Sequence, residues 1–292
     1  MGSMNRNTPS EIGPLPTFLI CGAPKAGTTA LYEYVRQHPD VFMSIPKETG
    51  FFHKNHHKGE DWFRSHFSDW EGEEAIGEAS VLTMSTPGAE ERVAELIPDA
   101  RLIFLLRDPV DRAYSDYLFN LQQGWIPPDV SFHDLIRENV DVKEYTGEAV
   151  IERGLYLKHL RRFREHFDRS QMQVLLSEEL KNDTNRVFRS VFSFIDVDEA
   201  YSPGAIEKRN ITRYMAHSRA YQLLRAAWQP FKEYLEDVET IKEVRSQVRS
   251  FFFRQEDKPS MRSDDRAYLR DVYRQPNQDL AEWFDRDLSH WT

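Results

Sequence analysis

The sequence predicts an α/β protein: a P-loop-type central parallel sheet flanked by helices, in a single domain with a helical C-terminal part. Three observations predict it. Short apolar runs alternate with amphipathic stretches, the pattern of parallel βαβ units. The clearest run, Leu102–Leu106 (LIFLL), is apolar throughout, as a strand buried on both faces must be. After Tyr201 the alternation stops and the spacing turns helical.

The elements follow in order. Thr17–Cys21 (TFLIC) reads as a short buried strand. From Gly27 to His38 the residues Ala30, Leu31, Tyr34, Val35 and His38 share one helical face, and Pro39 ends that helix. Val41–Met43 and Ala75–Glu78 are weaker strands. Pro87–Ile97 is a helix with Val93, Leu96 and Ile97 inward. Leu102–Leu106 is followed by a helix from Pro109 to Gln123, with proline at its first position. Leu155–Phe167 is amphipathic, and Gln173–Leu176 is a further strand. Trp283 and Trp291 are placed to dock the C-terminus on the core.

The chain has 292 residues, 40% of them hydrophobic, which is too apolar for disorder. A domain of this length buries roughly 75% of its unfolded surface and needs no disulfides. It has none within the chain, because Cys21 is its only cysteine. That usage fits a reducing, cytoplasmic setting. Met1-Gly2-Ser3 ahead of a second Met reads as a cloning remnant, and residues 1–16 as a flexible N-terminus without the apolar stretch of a signal peptide. The folded domain is then 17–292. No apolar run approaches the ~20 residues of a membrane span. The net charge of −10 argues against nucleic acid, which needs a basic footprint, and weighs against a strongly anionic polymer.

Residues 125–152 stand apart. They hold seven acids (Asp129, Asp134, Glu138, Asp141, Glu144, Glu148, Glu152) against Arg137 and Lys143. This is expected to be an insertion at the sheet edge, a candidate lid. The stretch Arg153–Arg164 is the reverse, with Arg153, Lys158, Arg161, Arg162 and Arg164 and no acid. It is either a solvated helix face or the lining of a groove for an anionic acceptor.

The strongest site is Gly22-Ala-Pro-Lys25-Ala26-Gly27-Thr28-Thr29, between a strand and a helix. Amide N–H groups at a helix start face an anion, and the helix dipole adds about half a positive charge. Against the nucleotide-triphosphate pattern G-x-x-x-x-G-K-[ST], the glycines fit at Gly22 and Gly27. Thr28 stands where the lysine belongs, and Lys25 sits inside the loop instead. A second site closes the apolar strand: Arg107-Asp108-Pro109, continuing to Arg112 and Ser115. In an open parallel sheet, ligands sit beyond the carboxyl ends of strands, so Arg107 is aimed where the first loop is aimed. Its planar fork suits phosphate. Asp108 is either a helix cap or, in a P-loop kinase or ATPase, a Mg²⁺ ligand.

Together the two sites resemble the sulfotransferases that use 3′-phosphoadenosine 5′-phosphosulfate (PAPS) and release adenosine 3′,5′-bisphosphate (PAP). Ala23-Pro-Lys25-Ala-Gly27-Thr28-Thr29 is similar to that family's 5′-phosphosulfate loop. Arg107-Asp-Pro-Val-Asp-Arg112-Ala-Tyr-Ser115 is similar to its 3′-phosphate motif. Pro46-Lys47-Glu48-Thr-Gly-Phe51-Phe52 resembles the Lys-Glu-x-x-Phe-Phe segment of the heparan sulfate sulfotransferases and their bacterial relatives, and Gly154-Leu-Tyr156 also matches.

The resemblance implies that Lys25, Ala26, Gly27, Thr28 and Thr29 hold the 5′-phosphosulfate. It implies that Arg107 and Ser115 hold the 3′-phosphate, and that Glu48 takes the acceptor proton. Three alternatives stand beside it. Glu48 is otherwise a surface carboxylate paired to Lys47. His53, near His56 and His57, is otherwise the proton acceptor, as in the cytosolic sulfotransferases. Phe51 and Phe52 stack on an acceptor or pack in the core. No metal is implied. The acceptor is a hydroxyl on a small molecule, saccharide, lipid or carrier-bound chain.

Two departures are visible. Ala79 follows Glu78 where the heparan group has lysine. The family's C-terminal loop for the 3′-phosphate is missing, leaving Arg209 or Arg262 to substitute. The rival readings are a P-loop kinase or ATPase and a non-catalytic nucleotide-binding module.

Overall fold

The computed structural model describes residues 12–127, 129–138, 140, 142, 146–204, 214–215, 253–254 and 259–291. The chain forms two compact units. The first comprises residues 1–108, 155–207 and 279–286, and the second 109–154, 208–278 and 287–292.

The first unit is built on five parallel strands: β1 (Phe18–Gly22), β2 (Val41–Met43), β3 (Ala75–Glu78), β4 (Arg101–Leu106) and β5 (Met172–Leu176). Their order across the sheet is β2-β3-β1-β4-β5. The strands predicted from the sequence are all present, within a residue or two at the ends. β1 is buried along its whole length and β4 from Leu102 onward, as their central places require. Small size is needed at Gly77 of β3, where a Cβ would lie 2.3 Å from the Phe18 ring. α1 (Thr28–Val35) follows β1, α2 (Glu60–Arg64) follows β2, and α3 (Ala89–Leu96) precedes β4.

The topology positions the site. From β1 the chain crosses to β2 on one side of the sheet, and from β4 it proceeds to β5 on the other. The carboxyl ends of β1 and β4 therefore flank a switch point, the place where open α/β sheets bind ligands. Register along this pair runs Leu19↔Leu102 and Ile20↔Ile103, then slips so that Gly22 faces Phe104. The extra residue is Cys21, directly before the phosphate loop. Such a bulge bends a strand end and re-aims the residues after it.

The second unit begins with α4 (Pro109–Gln123), which starts at the predicted proline. The expected insertion holds α5 (Phe132–Arg137), opened by a Ser131/Asp134 capping box, and α6 (Gly147–Glu152). Arg112 is fully buried; it donates to the Val150 carbonyl and pairs with Asp116 at 3.3 Å. Arg153 joins the same carboxylate at 3.2 Å. Arg153 is thus committed to a buried ion-pair network, not to a groove.

Back in the first unit come α7 (Tyr156–Arg164), β5, α8 (Ser177–Asn182) and α9 (Thr184–Phe194). Arg162 is likewise engaged, with Glu90 at 3.5 Å and the Met84 carbonyl at 3.0 Å.

The C-terminal third differs from expectation at one point. Among its described residues a two-stranded antiparallel ladder, β6 (Tyr214–Met215) with β7 (Phe253–Arg254), accompanies the long helix α10 (Ser263–Phe284). Two-residue strands carry too little sequence pattern to be seen in advance. Trp291 is buried, with its carbonyl accepting from Asn277 at 3.3 Å, while Trp283 lies under the Arg169 guanidinium.

Candidate active site

The phosphate loop is a backbone structure first. Gly22, Lys25 and Gly27 have φ of 150°, 66° and 109°. A Cβ on Gly22 would lie 2.7 Å from the Val81 carbonyl oxygen, so glycine is required there on space as well as angle. Lys25 adopts the left-handed region without glycine's freedom, which costs roughly 1–2 kcal/mol. At α1 no side chain caps the first turn and no acidic residue lies in it. Its first N–H groups and the positive end of the helix dipole are left for an anion.

Neighbouring strands hold this loop in place. The Ala23 N–H donates to the Leu105 carbonyl at 2.7 Å. The Ser177 hydroxyl, at the end of β5, donates to the Ala26 carbonyl at 2.6 Å. Arg107, just past β4, donates from Nη1 to the Lys25 carbonyl at 3.2 Å. The Tyr156 hydroxyl in turn donates to the Arg107 carbonyl at 2.8 Å. The first-strand loop and the Arg-Asp-Pro turn are therefore one structure at one end of the sheet. Ser177 was not legible as a site residue, and Tyr156 stood in a matching segment without a visible partner, since they lie 151 and 49 positions from the groups they hold.

Ser115 is on α4, in the second unit, and half-buried. Arg209 lies outside the described residues. Its alternative, Arg262, is also in the second unit and forms a two-point pair with Asp264, at 3.1 and 2.8 Å. That pair is available to explain Arg262 without a nucleotide.

The base candidates lie on the segment between β2 and α2, in the first unit. Glu48 is exposed, and Lys47 Nζ lies 3.0 Å from its Oε1 and 3.4 Å from the Ala79 carbonyl. The pairing with Lys47 is thus present, and an exposed pair of this kind contributes at most about 1 kcal/mol. It leaves Glu48 open to solvent and to an acceptor. His53 lies on the turn Phe51–Asn55. Burial pushes its imidazole below the ordinary range, the charge of Glu48 opposing. Its Nδ1 is buried without a hydrogen-bond partner. Phe51 and Phe52 are core residues, 2% and 0% exposed, with Phe51 stacked on Phe63 at 4.3 Å. They are packed, not presented to a ligand.

A carboxylate that sequence reasoning passed over lies beneath this segment. Glu78, the last residue of β3, is buried and accepts from the Thr49 N–H at 3.0 Å and the Ser80 N–H at 3.0 Å. Desolvation pushes its carboxyl above the usual carboxylate range, against the pull of those hydrogen bonds.

The donor set fits a phosphosulfate. It offers uncapped helix N–H groups, the cations Lys25 and Arg107, the Thr28 and Thr29 hydroxyls, and no acid between Gly22 and Thr29. Such an arrangement can hold an anionic leaving group and offset the charge it gains.

These features define a phosphate-binding α/β domain of the P-loop type. The chain belongs to the sulfotransferase domain family, whose model matches residues 15–284. Sulfotransferases of this family are enzymes that take their sulfuryl group from PAPS, which sets aside the kinase and non-catalytic readings. A crystal structure of a sulfotransferase from Alicyclobacillus acidocaldarius superposes with a TM-score of 0.71. It is 25% identical and covers 95% of this chain and 99% of its own. The heparan sulfate glucosamine 3-O-sulfotransferase 3B1 of Mus musculus is 35% identical over 183 residues, 62% of this chain and 46% of its own length. The membrane-associated sulfotransferase kil1 of Dictyostelium discoideum is 36% identical over 139 residues, 44% of this chain and 29% of its own. The chain spans less than half the length of these two curated relatives. Among the described residues no helix is long and apolar enough to cross a membrane.

Proposed function

We propose that this domain moves a sulfuryl group in line from PAPS to an acceptor hydroxyl and releases PAP. One observation carries the reading: the Arg107 guanidinium reaches the Lys25 carbonyl, which supports taking the two motifs as one donor site. Lys25, Thr28, Thr29 and the amides of Ala26 and Gly27 bind the 5′-phosphosulfate, and Arg107 the 3′-phosphate. On the family motif alone, Ser115 is assigned to the same phosphate, and Arg209 in place of the missing C-terminal loop. Glu48 takes the proton from the acceptor oxygen as that oxygen bonds to sulfur. The bond from sulfur to the bridging phosphate oxygen breaks, and Lys25 offsets the charge left on PAP. Positioning and fixed cations do most of such a transfer. A positioned base adds roughly 10²–10⁴-fold. His53, held neutral by burial, is the second candidate base.

A saccharide hydroxyl is the first acceptor to test, because the mouse relative is named for glucosamine 3-O-sulfation. Ala79, where the heparan group carries lysine, favours an acceptor less anionic than heparan sulfate. We place the reaction in the cytoplasm on the strength of the cysteine usage, and cell fractionation tests that.

The function is tested by a thermal shift with PAP against ADP plus Mg²⁺. PAP at 100 times its Kd adds about 2.7 kcal/mol, several degrees for a domain of this size. The expected result is a shift with PAP that EDTA leaves unchanged. A shift only with ADP and Mg²⁺ overturns the donor assignment. Transfer from ³⁵S-labelled PAPS to unsulfated heparan backbone, p-nitrophenol and a hydroxyacyl pantetheine then separates the acceptor classes.

A further inference from the structure

The segment after Glu48 carries backbone donors that no helix or strand satisfies. The N–H groups of Thr49, Gly50 and Ser80 all point inward, and all end on one small polar cluster. At its centre Glu78 accepts through Oε1 from the Thr49 N–H at 3.0 Å, from the Thr49 hydroxyl at 2.9 Å and from the Ser80 hydroxyl. Through Oε2 it accepts from the Ser80 N–H at 3.0 Å. The Ser80 hydroxyl oxygen takes the Gly50 N–H at 2.9 Å, and the Thr49 hydroxyl oxygen takes the Phe51 N–H at 3.2 Å.

A buried carboxylate is costly, and an apolar residue of similar volume would fill the space more cheaply. What an apolar residue cannot do is satisfy those amides, each of which would be an orphan in a buried place. The cluster spans a gap of about thirty residues in sequence, from β3 to the segment following Glu48. It touches the two residues next after Glu48 and leaves Glu48 itself outside, exposed.

We propose that Glu78 is a positioning residue: through Thr49, Gly50 and Ser80 it fixes the turn that aims Glu48 at the acceptor oxygen. The proposal rests on the reading of Glu48 as the base. Glu78 is not placed to act on substrate itself, because it is 1% exposed and both its oxygens are occupied by the cluster.

The test is Glu78→Gln in the full chain. A glutamine offers one carbonyl oxygen and one NH₂, so in either orientation a donor faces a donor. Amide hydrogen exchange at Thr49, Gly50 and Ser80 is expected to quicken at least tenfold, with Ala23 and Ala26 of the phosphate loop unchanged. Release of PAP from PAPS, with water as acceptor where no other is supplied, is expected to slow about tenfold or more at constant KM for PAPS. In a Glu48→Ala background the same substitution is expected to add nothing, since a positioning residue acts only through the group it positions. Thr49→Val should reproduce the loss and Thr49→Ser should restore it, and this pair carries the test if Glu78→Gln does not fold.

Unchanged turnover in Glu78→Gln, with Glu48→Ala inactive, overturns the positioning role and leaves the base assignment intact. Turnover that survives Glu48→Ala overturns the base assignment and this proposal with it. A rise in KM for PAPS that matches the loss of rate also overturns it, by moving the effect to the donor site.

Discussion

The two halves of the site are held by different means. The phosphate loop is held through its carbonyls, which accept from the Ser177 hydroxyl and the Arg107 guanidinium, while its Ala23 amide donates into β4. The Glu48 segment is held through its amides, with one buried carboxylate and its hydroxyl neighbours gathering them. The difference follows from the charge each half must meet. An anionic donor is met by N–H groups, which the backbone of a loop and helix start supplies without help. A base needs a carboxylate left exposed, and the turn that carries it needs acceptors from elsewhere. The donor half should therefore tolerate changes in the acceptor half, and the reverse.

That independence can be broken most visibly at Glu48. Glu48→Ala is expected to lower turnover by about 10²–10⁴-fold while PAP still raises Tm as in the wild type. Near-normal turnover would mean that another group is the base. Next in size is Arg107→Ala. Loss of a charged, two-point phosphate contact costs about 1.5–3 kcal/mol, so PAP affinity should fall roughly 10–100-fold while AMP changes little. Calorimetry with both nucleotides checks this, and equal losses would remove the 3′-phosphate role. The smallest effect is expected at His53. Its pKa is depressed in the folded chain by burial. The unfolded chain therefore takes up the proton first as pH falls, and stability is lost as pH falls below about 6.5. Between pH 7 and 5 the wild type should lose no more than about 2–4 °C of Tm relative to His53→Asn. Loss of turnover in His53→Asn equal to that in Glu48→Ala would move the base to the histidine.

How far each half could be read in advance reflects the same contrast. Gly22, Lys25, Gly27 and the Thr pair form a local pattern, because the turn, the helix start and the anion site lie within eight residues. Arg107 was legible because a strand end followed by Asp-Pro is local too. Glu48 stood in a recognisable segment. The partner that holds that segment did not, since Glu78 lies on another strand and its amides become neighbours only when β2 and β3 pair. Phe51 and Phe52 illustrate the other side: the sequence left them either presented to an acceptor or packed in the core, and Phe63, stacked on Phe51 and edge-on to Phe52, decides for the core. Arg153 and Arg162 read from the sequence as a solvated helix face or the lining of a groove for an anionic acceptor, and the structure instead pairs them with Asp116 and Glu90.

By itself the sequence determined the parallel α/β layout, the place of the phosphate loop at a strand end, and the family. These rest on short-range constraints: strand and helix periodicity, glycine at positions of positive φ, and proline at a helix start. Only the tertiary structure decided which distant groups hold the loops, Ser177 and Tyr156 on the donor side and Glu78 on the base side. It also decided which charges are spent on ion pairs. Hydrogen bonds and burial depend on groups brought together across tens to hundreds of residues, and no local pattern records which buried amide will need which carboxylate.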